Sequence, residues 1–187
     1  MHMRRSKAWP LALAAVLAVS CTCSLLPLGV NLPESLAVGS YITVRYPEGW
    51  FGTTDSGLGV FSPEVLDLEA SDADIDQAFF LVIPLEEYLG TDWFGEIVDP
   101  DDLLNQMAAE FELSFGSTTT VELGNLRWTK GTFRGSLGEF AGTWQGWVAI
   151  ELLPRGGAII VAAAPEADWG DVDNIFDAML RDLEFAD

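Results

Sequence analysis

The sequence predicts an α+β domain: a central antiparallel β-sheet flanked by helices, in a single domain. Three observations carry that prediction. Residues 140–165 read as two long strands joined by a tight reversal. Other runs of strand length recur along the chain, either alternating or continuously apolar. Two stretches, one after Asp99 and one after Asp171, carry the three-and-four spacing of an amphipathic helix.

The hairpin at 140–165 is expected at the middle of the sheet. Phe140, Trp144, Val148, Ile150 and Leu152 supply most of the bulk on one face of its first strand. Residues 158–164 are apolar on both faces, as in a strand covered from both sides. Between them, Gly156 and Gly157 offer the positive-φ positions of a tight reversal. Upstream, residues 41–46 alternate, with Ile42 and Val44 on one side and Thr43 and Arg45 on the other, and form the first expected strand. Pro47-Glu48-Gly49 stops it, and Trp50 and Phe51 are expected to close one end of the core. Residues 59–62 read as a short second strand and AFFLVIPL at 78–85 as a buried one. Asp99 is placed to cap a helix with Pro100 at its first position and Asp101 and Asp102 at the positive end of the dipole. Its stripe is Leu103, Leu104, Met107, Ala108 and Phe111, and Gly116 ends the run. Residues 118–123 and 126–137 are two further strands about Gly124-Asn125. The last helix presents Val172, Ile175, Phe176, Met179, Leu180 and Leu183 along one face.

Composition narrows the function. With 49% hydrophobic and 20% charged residues, the 187-residue chain is expected to pack rather than stay disordered. After residue 20 there are six basic residues against 29 acidic ones, a formal net charge of −23. A phosphate-binding surface needs clustered cations, so nucleic acid is excluded as a partner, and an anionic lipid surface would repel the domain. The histidine is His2, the cysteines are Cys21 and Cys23, and Lys130 is the one lysine beyond Lys7. Ser-His-Asp and Cys-His catalysis, the usual zinc sites and a disulfide within residues 39–187 are thereby excluded.

Residues 1–20 have the pattern of an export signal: Arg4, Arg5 and Lys7, then an uncharged apolar run. Leu17-Ala18-Val19-Ser20-Cys21 resembles a bacterial lipobox, with Ala18 where that family prefers leucine. The resemblance implies lipidation of Cys21 as the mature N-terminus, a tether strengthened by about 0.8 kcal/mol per buried CH₂. Simple cleavage and secretion, or retention of the charge-free stretch 8–30 as an anchor, are the competing readings, and all three place the domain outside the cytoplasm. Residues 21–38 are expected to be a linker and 39–187 the globular domain.

The order of elements resembles the PsbP-like domains and the bacterial DcrB-like lipoproteins over most of residues 37–187. Tyr46-Pro47-Glu48-Gly49-Trp50, Phe61-Ser62-Pro63, Phe176-Asp177-Ala178-Met179-Leu180 and Leu183-Glu184-Phe185 carry the resemblance. It implies a PsbP-like α/β sandwich and a non-catalytic envelope lipoprotein that binds or stabilises another envelope protein. None of the family's ion-handling residues is carried across.

Four groups stand out as candidate sites. Tyr88, Trp93 and Phe94, aromatics framed by charge, are the candidate partner contacts. Asp72, Asp74 and Asp76 have the spacing that opens a calcium loop, but Gln77 and Ile83 replace its glycine and glutamate, leaving a loose calcium site as the alternative to a solvated acidic loop. No other cofactor is expected. Glu86, Glu87, Asp92 and Glu96 beside Trp93 are the only carboxylates nominated for a residual hydrolase reading. Asp168, Asp171 and Asp173 are expected to serve a helix start.

Overall fold

The computed structural model describes residues 29–66, 75–86, 99–123, 125–138, 140–154 and 156–186. Along them run β1 (Glu34–Val38), β2 (Ile42–Tyr46), β3 (Phe51–Asp55), β4 (Leu58–Ser62), β5 (Phe79–Pro84) and α1 (Pro100–Glu110). There follow β6 (Phe115–Leu123), β7 (Leu126–Gly135), β8 (Trp144–Leu153), β9 (Gly156–Pro165), α2 (Trp169–Arg181) and β10 (Glu184–Phe185). The hairpin β8–β9 is the centre of a seven-stranded sheet of order β3-β4-β5-β9-β8-β7-β6, antiparallel at every pairing.

The small residues of β9 explain how that centre packs. Ala162 is the register partner of both Phe80 and Trp147, whose rings meet edge to face at 6.0 Å. On the opposite face Ala163 pairs with Phe79, whose ring lies 5.8 Å from that of Trp144. Alanine on the middle strand thus leaves room for aromatics from both neighbours, and β9 is buried from Gly156 to Ala164. β8 and β9 pair up to Leu153↔Gly156, and Gly156 and Gly157 open β9 at φ 118° and 141°. A Cβ on Gly156 would stand 3.0 Å from the ring of Tyr41, so close approach as well as backbone conformation requires glycine there.

Each face of the sheet is covered. On one, Val172, Phe176, Met179 and Leu180 of α2 meet Phe80, Trp147 and Ile160, and a small sheet of order β1-β2-β10 lies alongside. On the other, Leu103, Leu104 and Met107 of α1 pack on Phe133, Trp144, Val148 and Ile150. The result is a three-layer α+β sandwich, as the sequence predicts.

Several boundaries differ. The segment 34–38, expected to end a linker, is β1, and Leu32 is also buried. Val38 fills the space that a side chain on Gly59 would need, so the small sheet docks through that glycine. The expected first strand forms as β2 but belongs to this small sheet. Trp50 does close the core, meeting Phe176 edge-on at 5.8 Å, whereas Phe51 lies in β3 and is half exposed. Asp99 caps α1 as expected, accepting the Asp101 N–H at 2.9 Å, but the helix stops at Glu110 because Phe115 and Gly116 already belong to β6. Asp168 holds the N-cap position of α2 without a side-chain cap bond, Asp171 lies in the first turn, and Asp173 accepts the Asn174 N–H at 2.7 Å. The service expected of these three is therefore mainly their charge at the helix start.

Candidate functional site

β7, with the sequence LRWTKGTFRG, carries Arg127, Lys130 and Arg134, half of the six basic residues beyond residue 20. Its register sets Lys130 beside Ala149, Thr132 beside Trp147 and Arg134 beside Gln145. Period-two alternation turns Lys130, Thr132 and Arg134 to the same side as Trp128, which is the side that α2 covers. Because α2 packs over β9 and β8, its Asp173 and Asp177 come to border the next strand.

A groove of about 420 Å³ results. Trp147, Thr132 and Gln145 contribute to its lining, Trp169, Asp173 and Asp177 come from α2, Ser114 from the chain entering β6 and Gly116 from the start of β6 itself. Lys130 holds the middle, with Nζ 2.8 Å from Asp177 Oδ1 and 4.2 Å from the centroid of the Trp147 ring. Its side chain is only 15% exposed, so both attractions act on a largely desolvated ammonium. Arg134 forms an ion pair with Glu166 at the rim, where Arg134 is exposed and Glu166 partly so. The groove therefore offers an indole surface and cations already matched to carboxylates. That is contact chemistry.

Of the residues singled out from sequence, Cys21, Asp72, Asp74, Glu87, Tyr88, Asp92, Trp93, Phe94 and Glu96 lie outside the described residues. Asp76 lines a separate cleft with Glu64, Gln77 and Asp168. There the Gln77 side chain accepts the Glu64 N–H at 3.1 Å. Among the described residues no three His, Cys, Asp or Glu side chains are grouped to hold a metal ion. Sequence reasoning missed the groove. The available signal was three cations within residues 127–134 of a strongly acidic chain.

One carboxylate is out of place. Glu151 of β8 is 5% exposed and accepts the Arg127 N–H at 2.8 Å. Burial raises its proton affinity above the ordinary value of 4.5, opposed by that hydrogen bond and by the charge of Arg127. The folded chain thus holds this proton more tightly than the unfolded one. The stability linked to Glu151 is greatest below pH 4.5 and falls as pH rises through its elevated value. Glu151→Gln is expected to raise the melting temperature at pH 7 by roughly 2–4 °C and to flatten its decline with pH above the acid range. Thermal melts of both proteins across pH 4–8 check this; parallel curves would contradict it.

No family model matches the chain, and no curated protein matches it. Solved structures do. LpqN of Mycobacterium tuberculosis, described as involved in cell envelope biogenesis, aligns over 82% of this chain and 90% of its own at 14% identity, with a TM-score of 0.52. The cyanobacterial PsbP protein CyanoP of Synechocystis aligns over 85% and 99% at 14% identity, with a TM-score of 0.49. The Ran-binding protein Mog1p of Saccharomyces cerevisiae aligns over 84% and 97% at 14% identity, with a TM-score of 0.46. The α+β sandwich described above is the fold this chain shares with LpqN. Three of the motifs behind the sequence resemblance converge on one aromatic cluster within it, while Phe185 of the fourth packs with Tyr41 and Trp128. Tyr46 meets Phe61 at 5.2 Å, Phe61 meets Phe80 at 6.3 Å, Phe80 stacks on Phe176 at 5.9 Å, and Trp50 abuts Phe176. They specify packing between the layers of the sandwich, and none of them lines the Lys130 groove except Asp177. Among the described residues, no helix is long and apolar enough to cross a membrane.

Proposed function

We propose that the chain is an extracytoplasmic lipoprotein, tethered through Cys21, whose non-catalytic PsbP-like domain holds another envelope protein against the groove between α2 and β7–β8. The observation that carries the binding role is the arrangement around Lys130. The lone lysine of the domain is clamped between an indole and a carboxylate, next to an exposed Arg134 and a half-buried Trp169. Tryptophan and arginine dominate the energetics of protein contacts, and here they surround a cavity whose cations are paired instead of being set beside a nucleophile. The export pattern and lipobox-like residues of the leader support the tether.

Two variants test the two halves separately. Cys21→Ala is expected to move the protein from the membrane pellet to the soluble extracytoplasmic fraction with its melting temperature unchanged. Arg134→Ala removes a surface ion pair worth about 0–1 kcal/mol, so stability is expected to hold while cross-linked partner recovered from native membranes falls on the order of tenfold. Unchanged recovery would remove the groove from the proposal. Native protein found in the cytosol with its leader intact would remove the tether.

A further inference from the structure

β6 is an edge of the seven-stranded sheet, and among the described residues its one strand neighbour is β7. It is nine residues long, and Gly116 to Thr120 are exposed without a break. α1 packs on β8 and β7 and α2 on β9 and β8, which leaves β6 outside both helical layers. A register shift between Phe115 and Ser117 disturbs its start, but from Ser117↔Thr132 to Leu123↔Leu126 the ladder is continuous. Soluble proteins protect such edges with lysine, proline, inward charge or very short strands. Ser117-Thr118-Thr119-Thr120-Val121 has none of these, and the charge of Glu122 is set opposite Arg127. The other edge of the sheet, β3, is five residues. Three consecutive threonines favour the extended conformation, and their hydroxyls keep the edge hydrated without obstructing a ladder.

We propose that β6 is a docking edge that accepts an extended segment of a partner protein as an eighth strand, and that this segment carries basic side chains. The backbone groups on the free side supply a ladder of hydrogen bonds, and alternate side chains of the added strand supply selectivity. Charge decides the occupant. Near the ends of the strand, Glu112 and Glu122 are exposed. Of the cations on the neighbouring β7, Arg127 stands opposite Glu122, Lys130 is paired with Asp177 and Arg134 with Glu166, so the excess is the −23 of the chain after residue 20. A second copy brings the same charge and is repelled, whereas a basic segment is attracted. This inference needs only the free edge and stands independently of the tether and the groove.

The test uses the full chain in mild detergent and a fluorescein-labelled heptapeptide of alternating valine and threonine with a lysine at each end. Fluorescence anisotropy is expected to show saturable binding that weakens at least tenfold when alternate peptide amides are N-methylated. Successive residues of an edge strand direct their N–H groups alternately to the neighbour and to the free side. One of Thr118→Pro and Thr119→Pro is therefore expected to keep the wild-type melt yet lose the peptide at least tenfold, while the other melts lower. Arg134→Ala is expected to bind the peptide as wild type does. Four results would each overturn the proposal: no saturable binding at millimolar peptide, equal binding of the peptide with glutamates for lysines, indifference to N-methylation, or loss of the peptide in Arg134→Ala. Sedimentation showing a dimer that the same proline variant dissociates would assign the edge to a second copy and overturn it as well.

Discussion

Phe176→Ala is expected to destabilise the domain by about 3–5 kcal/mol. The side chain is fully buried. Its ring is the point where three others meet: Phe80 stacked at 5.9 Å, Trp50 edge-on at 5.8 Å and Trp169 tilted at 5.9 Å, with Phe61 one ring further through Phe80. Truncation removes about six carbons from a site that these rigid aromatics cannot collapse to refill. The melting temperature should fall by roughly 9–20 °C, and the denaturant midpoint should fall with an unchanged slope. Ile175→Ala, one residue away but only half buried, should cost about 1–2 kcal/mol. The comparison matters for function because α2 also supplies Trp169, Asp173 and Asp177 to the groove. If the two variants melted alike, Phe176 would not be what docks α2.

Why some of this was legible in the sequence and some was not follows from where each element gets its signal. β5, β9 and both helices bury long apolar surfaces, so their periodicity or continuity survives in the sequence. β3, FGTTD, is exposed along most of its length and has no buried face to leave a pattern. β10 is two residues long, and β1 is recognisable only once Val38 is seen packed over Gly59. Glycines inside strands left no packing signal either, since Gly52 and Gly131 sit under the rings of Phe61 and Phe115. The groove was harder still. Lys130 and Asp177 are 47 positions apart, and only the register of β7 on β8 and the path of α2 bring them to 2.8 Å. A cluster of cations in the sequence marks a strand worth watching, but it does not say which helix will supply the counter-charge.

The glycine pattern leads to the second large effect, Gly146→Ala. On paper the change should help, since alanine in a strand gains about 0.5–1 kcal/mol over glycine. Here Gly146 lies in β8 between Phe133 of β7 and Ala163 of β9. A Cβ at this position would collide with the carbonyl oxygen of Ala162 and stand 2.6 Å from the tip of the Phe133 ring. The ring can shift; the backbone of the central strand, hydrogen-bonded on both sides, cannot. Overpacking of this kind costs about 1–3 kcal/mol or more, and a backbone clash at the middle of the sheet belongs at the upper end. A net loss of about 2–3 kcal/mol and a melting temperature lower by roughly 6–12 °C are expected. Adding Phe133→Leu should recover only the part due to the ring. Gly131→Ala is the informative contrast, because the nearest atoms to a Cβ there are those of the Phe115 ring, 2.9 Å away on the edge strand β6, where the neighbour can yield. It should cost under about 1 kcal/mol. Equal losses at Gly131 and Gly146 would mean that ring displacement alone sets the penalty, and that β8 and β9 have more freedom to separate than their packing implies.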